Sequence, residues 1–212
     1  MQEFDELVSV AERLLGPGGC SWDHKQTFFS LQSYVLEEAH EVLEAVDRQK
    51  DEDIVEELGD LLYVVLFYAK LAEKQKRFSL KEILSAIRDK AIRRHPHVFA
   101  DVEVKDDDEI VRNFEKIKQE EQGKKQRKHV LEGIPDQLPL LTKAQKMHRA
   151  FLKQGFSSQE SPSESDLEDR LSSSLWALVE EAQQHEVDLE SAFRRKLTSL
   201  TEEFLQTKQN LP

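Results

Sequence analysis

Residues 34–72, YVLEEAHEVLEAVDRQKDEDIVEELGDLLYVVLFYAKLA, decide the fold of this chain. The stretch opens with Glu37, Glu38 and Glu41 around His40. It returns to acids at Glu56, Glu57 and Asp60, directly before the apolar run Leu61 to Phe67. Phe28, Leu31, Val35, Leu36, Ala39, Val42, Leu43 and Val46 recur at helical spacing and mark one amphipathic helix. A second helix is expected from about Ile54 to Lys74, with Asp51, Glu52 and Asp53 as its N-terminal capping carboxylates. After Asp60 that helix is apolar nearly all round, which implies burial on every side, in a core or against a second subunit. In so small a chain the subunit interface is the better reading, so a homodimer is expected.

Residues three or four apart share a helix face, so Glu38 projects with Glu41 and Glu57 with Asp60, and Glu37 lies close by. Like charges on one face repel and cost stability unless something positive compensates. Antiparallel packing of the two helices would merge both pairs into one oxygen-rich cluster suited to Mg²⁺ or Mn²⁺. An ordinary solvated face is the competing reading. It is weakened because Leu58, Leu61 and Leu62 share turns with Glu57 and Asp60, which puts the acids at a core edge. Burying carboxylates without counter-charge costs several kcal/mol each, in order of magnitude, which favours a metal. Glu37 and His40 also form a Glu-x-x-His pair, half of a di-iron bundle pattern. The second helix supplies no histidine, and the ligand set stays oxygen-only.

Outward from this pair of helices, Phe4, Leu7, Val8, Ala11, Leu14 and Leu15 give a first amphipathic helix, stopped by Gly16-Pro17-Gly18-Gly19. The loop Cys20 to Thr27 follows, carrying Trp22 and Lys25. Ser79 with Glu82 reads as a capping box before a helix that ends in Arg93-Arg94-His95, where Pro96 prevents continuation. Phe99 to Val104 reads as extended or loop, and Asp106 to Asp108 begin another helix. Residues 122–135 read as a linker. Leu140 to Leu152 and then 167–205, broken near His185 to Asp188, read as further helices, and the Ser/Glu-rich passage at 157–166 as mobile.

Composition sets the bounds. Acids outnumber bases 42 to 30, a net charge of -12, which disfavours direct nucleic-acid binding. Seven Gly, six Pro and few alternating β-branched runs argue for an all-α fold. One cysteine, Cys20, allows no internal disulfide and suits a reducing compartment. The acidic N-terminus lacks the basic segment of a signal peptide. The run Leu61 to Ala69 falls far short of the roughly 20 residues of a membrane span. A soluble cytoplasmic protein is expected.

A basic counterpart lies at Arg88, Lys90, Arg93, Arg94, His95 and His97. Several cations at a helix end can hold phosphate oxygens, or can simply complement the helix C-terminus and the acidic surface. Beside a Mg²⁺-type cluster, phosphates bridging metal and arginine become the natural reading. Trp22, in its Gly-rich loop, is a candidate for stacking on a base, with ordinary packing as the alternative.

These residues together resemble the MazG-type nucleoside triphosphate pyrophosphohydrolases. The likeness rests on Gly-Pro-Gly-Gly-Cys-Ser-Trp-Asp at 16–23, Gln26-Thr27, Ser30-Leu31 and Glu-Glu-Ala-His-Glu at 37–41. It continues through Glu-Glu-Leu-Gly-Asp-Leu-Leu at 56–62 and Arg-Arg-His-Pro-His-Val-Phe at 93–99. The resemblance implies an all-α helical bundle of the nucleotide pyrophosphatase type, usually dimeric. It implies cleavage of a nucleoside triphosphate between the α and β phosphates. It makes Glu38, Glu41, Glu57 and Asp60 the metal ligands with Glu37 nearby. Trp22, Lys25, Lys90, Arg93, Arg94 and His95 then become candidates to hold the substrate. Ser21 stands where the family usually has proline, and Phe28 where it often has histidine, both in the loop assigned to base contact. The other function class compatible with these residues is a non-catalytic nucleotide-binding or regulatory helical module.

Residues 1–121 are thus expected to form a MazG-like catalytic domain. Residues 136–212 resemble a second, shortened MazG repeat. Glu168 to Val179 follow the outline of 56–62 and what comes after it, but Arg170 stands for the metal-binding Glu and Ser173 for the Asp.

Overall fold

The computed structural model describes residues 2–121, 129–156 and 166–209. Those residues carry helices and no strand, as an all-α fold requires. The helices are α1 (Gln2–Leu15), α2 (Gln32–Arg48), α3 (Asp51–Lys74), α4 (Leu80–Arg94), α5 (Pro96–Phe99), α6 (Asp107–Glu120), α7 (Leu140–Lys153), α8 (Leu167–Gln184) and α9 (Leu189–Gln209). The chain divides into two compact units, Met1–Ile117 and Lys118–Pro212.

The first unit is built around α3. Its C-terminal half buries Val64, Leu66, Phe67, Ala69, Leu71 and Ala72. Phe67 and Leu71 meet Leu15 and Leu31, with Tyr34, Tyr63 and Tyr68 packed around them. Leu66 and Ala69 meet Leu80, with Phe4, Leu7 and Val8 of α1 against them. One helix thus presents two apolar faces, to the α1 end and α2 on one side and to α1 and α4 on the other. This is the buried helix its composition implies. The burial is incomplete, however. Leu58 is 50% exposed and Leu62 and Val65 are each 41% exposed, so within one chain a stripe of this helix faces outward.

Other expectations shift by a turn or less. Phe28 lies in a turn before α2, because Thr27 and Ser30 close on each other, each backbone N–H donating to the other's hydroxyl at 2.9 and 3.1 Å. α3 starts at Asp51, not Ile54. Its N-cap is Lys50, with no side-chain capping bond. Asp51, Glu52 and Asp53 therefore act as charges in the first turn, favoured by the helix dipole, and do not cap. The Ser79–Glu82 capping box forms as its spacing requires. Pro96 ends α4 but also starts the one-turn α5, since a proline at the first helical position has no N–H to lose. Residues 157–165, read from composition as mobile, and most of the expected linker (122–128) lie outside the described residues.

In the second unit α7 packs on α8 and on α9. Gln145 of α7 is 4% exposed and holds the turn between them. Its Nε2 donates to Val187 O at 2.7 Å, and its Oε1 accepts the Leu189 N–H at 3.1 Å. Both amide atoms have a partner, and these bonds offset the cost of burying the side chain.

Candidate metal and nucleotide site

α2 and α3 are joined by two residues. Gln49 takes the left-handed conformation (φ 56, ψ 37) that closes α2 and reverses the chain. A turn this short leaves the helices antiparallel neighbours and sets their register. Glu41 and Glu57 each lie eight residues from Gln49, and Glu38 and Asp60 each lie eleven. Each acid of α2 therefore faces an acid of α3.

Side-chain geometry follows this register. Glu38, Glu41 and Glu57 each bring an oxygen to within 4.8 Å of the other two. Glu41 stands between its partners and raises the pKa of both. The Glu38 carboxyl is pushed up by partial burial first, then by the charges of Asp60 and Glu41. That of Glu57 is pushed up by desolvation, then by Glu41, Glu56 and Asp60. Asp60 is not part of the tight triad, though its charge reaches Glu38 and Glu57. Glu37 sits on the exposed side of Glu38 and adds to its repulsion. His40 is exposed and outside the triad, which keeps the donor set all-oxygen. Crowded carboxylates that hold each other's pKa up are a site short of positive charge. Oxygen donors at this spacing suit a hard divalent cation.

From Glu41 and Glu57 an open cleft of about 330 Å³ runs toward the α2–α3 turn and reaches Arg48 and Asp53. Arg48, which no spacing signal nominates, places a guanidinium beside the acids while paired with Glu44. At the opposite end lies the loop before α2. Trp22 is 49% exposed and meets Tyr34 edge-on, with ring centroids 5.9 Å apart. Lys25 is exposed on the short 3-10 turn Asp23–Lys25. Asp23 is buried, and its charge adds to burial, with Cys20, in pushing the Tyr63 phenol up. Nothing in the spacing around Asp23 marks it as buried, because a loop has no periodicity to read.

Lys90 and Arg93 are exposed on the last turns of α4. Arg94 lies over the Phe114 ring of α6 at 5.3 Å. His95 sets its ring 5.8 Å from both His97 and Phe114 and its Nδ1 2.7 Å from Ala91 O. A cation–π contact from Arg94 and ring packing by His95 thus link α4 to α6.

Comparison with known proteins matches residues 26–99, which contain all four acids and the α4 cations, to the MazG nucleotide pyrophosphohydrolase domain. A nucleoside triphosphate pyrophosphohydrolase of Escherichia coli (strain K12) is 43% identical over 157 residues, 74% of this chain and 60% of that protein. A protein of Mycobacterium tuberculosis with the same name is 34% identical over 161 residues, 75% of this chain and 48% of that one. The chain therefore spans about three fifths or less of these two relatives. With the nucleoside triphosphate pyrophosphohydrolase/pyrophosphatase MazG of Thermotoga maritima the match is 34% identical over 218 aligned positions, 95% of this chain and 84% of that one. A match over most of both chains, with the helices that carry the acids inside the matched domain, means that this chain belongs to the MazG nucleotide pyrophosphohydrolase family.

Proposed function

We propose that the protein is a divalent-metal-dependent nucleoside triphosphate pyrophosphohydrolase, cleaving NTPs or dNTPs between the α and β phosphates to a monophosphate and pyrophosphate. The observation that carries this reading is the carboxylate triad Glu38, Glu41 and Glu57, backed by Asp60, on a hairpin of a MazG-family chain. Glu38, Glu41, Glu57 and Asp60 are the residues that would hold Mg²⁺, or Mn²⁺ in its place. A bound divalent ion in such a site neutralises phosphate charge and lowers the pKa of water. Glu37, exposed beside Glu38, adds to the acidic rim of that site. Lys90 and Arg93, exposed on the last turns of α4, are the cations to meet the outgoing phosphates, with Arg94 and His95 setting the α4 terminus and Lys25 near the loop end. Trp22 offers an exposed ring face for a base.

The same reading covers the assembly. A homodimer sealed over the exposed α3 stripe would bury Leu58, Leu62 and Val65. Residues 136–212 would form a second repeat without a metal site, since Arg170 and Ser173 occupy the places of Glu57 and Asp60.

Pyrophosphate release measured across the eight common nucleoside triphosphates tests the activity. Glu41→Gln and Asp60→Asn should each lower turnover by about 100-fold or more, with the helical circular dichroism unchanged. Full turnover in both variants refutes the metal assignment. Tight Mg²⁺-dependent nucleotide binding with no pyrophosphate release would instead mean a non-catalytic regulatory module.

A further inference from the structure

Asp23, outside the triad, is 7% exposed, and among the described residues no other carboxylate is buried to this degree. Among the same residues no donor forms a hydrogen bond to its side-chain oxygens, although its backbone carbonyl accepts the Gln26 N–H at 3.1 Å. The carboxylate oxygens are not sealed off, since His148 Nδ1 is the one buried side-chain polar atom without a partner among the described residues; solvent at the edge of the loop reaches them, and a ligand donor can take that water's place.

The loop around it is held firmly. Cys20 N–H donates to Leu14 O at 2.9 Å, His24 Nε2 lies 3.0 Å from Gly16 O, and Gln26 Nε2 donates to Trp22 O at 3.1 Å. A Cβ on Gly19 would lie 2.1 Å from Leu14 O, so the loop lies directly against the end of α1 only because this residue is glycine. The exposed Trp22 ring is the immediate neighbour of the carboxylate in the chain.

The place of the loop is set by two tyrosines. Trp22 meets Tyr34, which stands four residues before Glu38 on α2. Asp23 acts on Tyr63, which stands three residues after Asp60 on α3. Trp22 and Asp23 thus straddle the hairpin one helical turn, about 5 Å, beyond the acids, at the end away from the α2–α3 turn. A nucleotide with its phosphates at the acids would bring its nucleoside here. A carboxylate can only accept, so a ligand group that meets it must be a donor.

We infer that Asp23 is a specificity-determining residue of the nucleotide site, its carboxylate accepting a hydrogen bond from a base N–H or a sugar O–H while Trp22 covers the ring. This rests on the nucleotide reading above and goes beyond it in naming the group that discriminates. Dissociation constants of the α,β-methylene analogues of the eight common nucleoside triphosphates, measured with Mg²⁺ on the full chain and on Asp23→Asn, test it without turnover. The substitution keeps the shape, removes the charge and replaces one of the two acceptor oxygens by a donor. Ratios between bases should change by about tenfold or more if the donor is on the base, and ratios between ribo and deoxy forms if it is on the sugar. The melting temperature of Asp23→Asn should stay level, because no protein donor to the carboxylate is lost. Unchanged ratios with intact binding overturn the role of Asp23 and leave the nucleotide site standing. A lowered melting temperature with unchanged ratios makes Asp23 a folding residue and overturns it too. If no analogue binds the unaltered chain, the nucleotide reading itself fails, and the role falls with it.

Discussion

Glu73, in the last turn of α3, joins two helices through one carboxylate. Its Oε1 accepts the Leu80 N–H that opens α4 and its Oε2 accepts from Lys70 Nζ, both at 2.9 Å. Lys70, one tenth exposed, also donates to Glu12 of α1 at 2.8 Å. The backbone bond from Leu80, with help from Lys70, holds the Glu73 carboxyl below its usual range against the opposing effect of burial. A carboxyl lowered in the folded state stabilises it above the unfolded pKa, about 4.3, and that gain is lost as pH falls through the lower folded value. Glu73→Gln should therefore lower stability at neutral pH by roughly 1 kcal/mol, part of the effect being screened by solvent. The difference from the unaltered chain should shrink below about pH 4, as thermal melts at a series of pH values would read. The acid at 73 gives no sign of this in the sequence, where it is one of several charges at a helix end. The Ser79–Glu82 box does, because its partners are three residues apart and the bond is local. A bond between residues seven apart across a helix break depends on how the two helices meet.

At the scale of elements, α3 decides most. Its acidic start and apolar continuation are both visible in residues 51–72. So is the pairing of acids within each helix, which follows from 3.6 residues per turn. What periodicity does not supply is how much of the apolar surface the rest of the chain covers. Leu66, Ala69 and Ala72 are fully covered, while Val55, Leu58, Leu62 and Val65 stay open along one side. Those four recur at intervals of three or four, so they form one stripe. If that stripe is the seam of a homodimer, Val65→Lys should shift the sedimentation coefficient from dimer to monomer, because a charge at a closed apolar seam leaves its ammonium unpaired. An unchanged dimer would move the interface elsewhere. The helix ends were less legible than the helices. Phe28 has the right spacing to extend α2, but the Thr27–Ser30 pair offers the backbone a local alternative and wins.

Across the whole molecule, the question is whether the two units, Met1–Ile117 and Lys118–Pro212, share the chemistry. If residues 136–212 are a second repeat, as proposed, Arg170 and Ser173 of α8 stand for Glu57 and Asp60; no counterpart of the triad occurs among the described residues of the second unit. Arg170→Glu combined with Ser173→Asp should therefore leave pyrophosphate release per chain unchanged, since two restored acids still lack the Glu-x-x-Glu helix that would face them. A gain in turnover would mean that the second unit retains a latent site. By itself the sequence determined the helical class, the acid pairs on α2 and α3, the capped start of α4 and the family, because all of these rest on short-range spacing or on contiguous motifs. Only the tertiary structure decided that the pairs meet across Gln49, leaving Asp60 at the edge of a triad of glutamates. It also decided that Arg94 and His95 turn to Phe114, and that Asp23 is buried. The physical reason is common to all three. A residue's own neighbours set its helix and its face, whereas its distance from a group elsewhere in the chain is set by turn register and packing, and the local sequence carries neither.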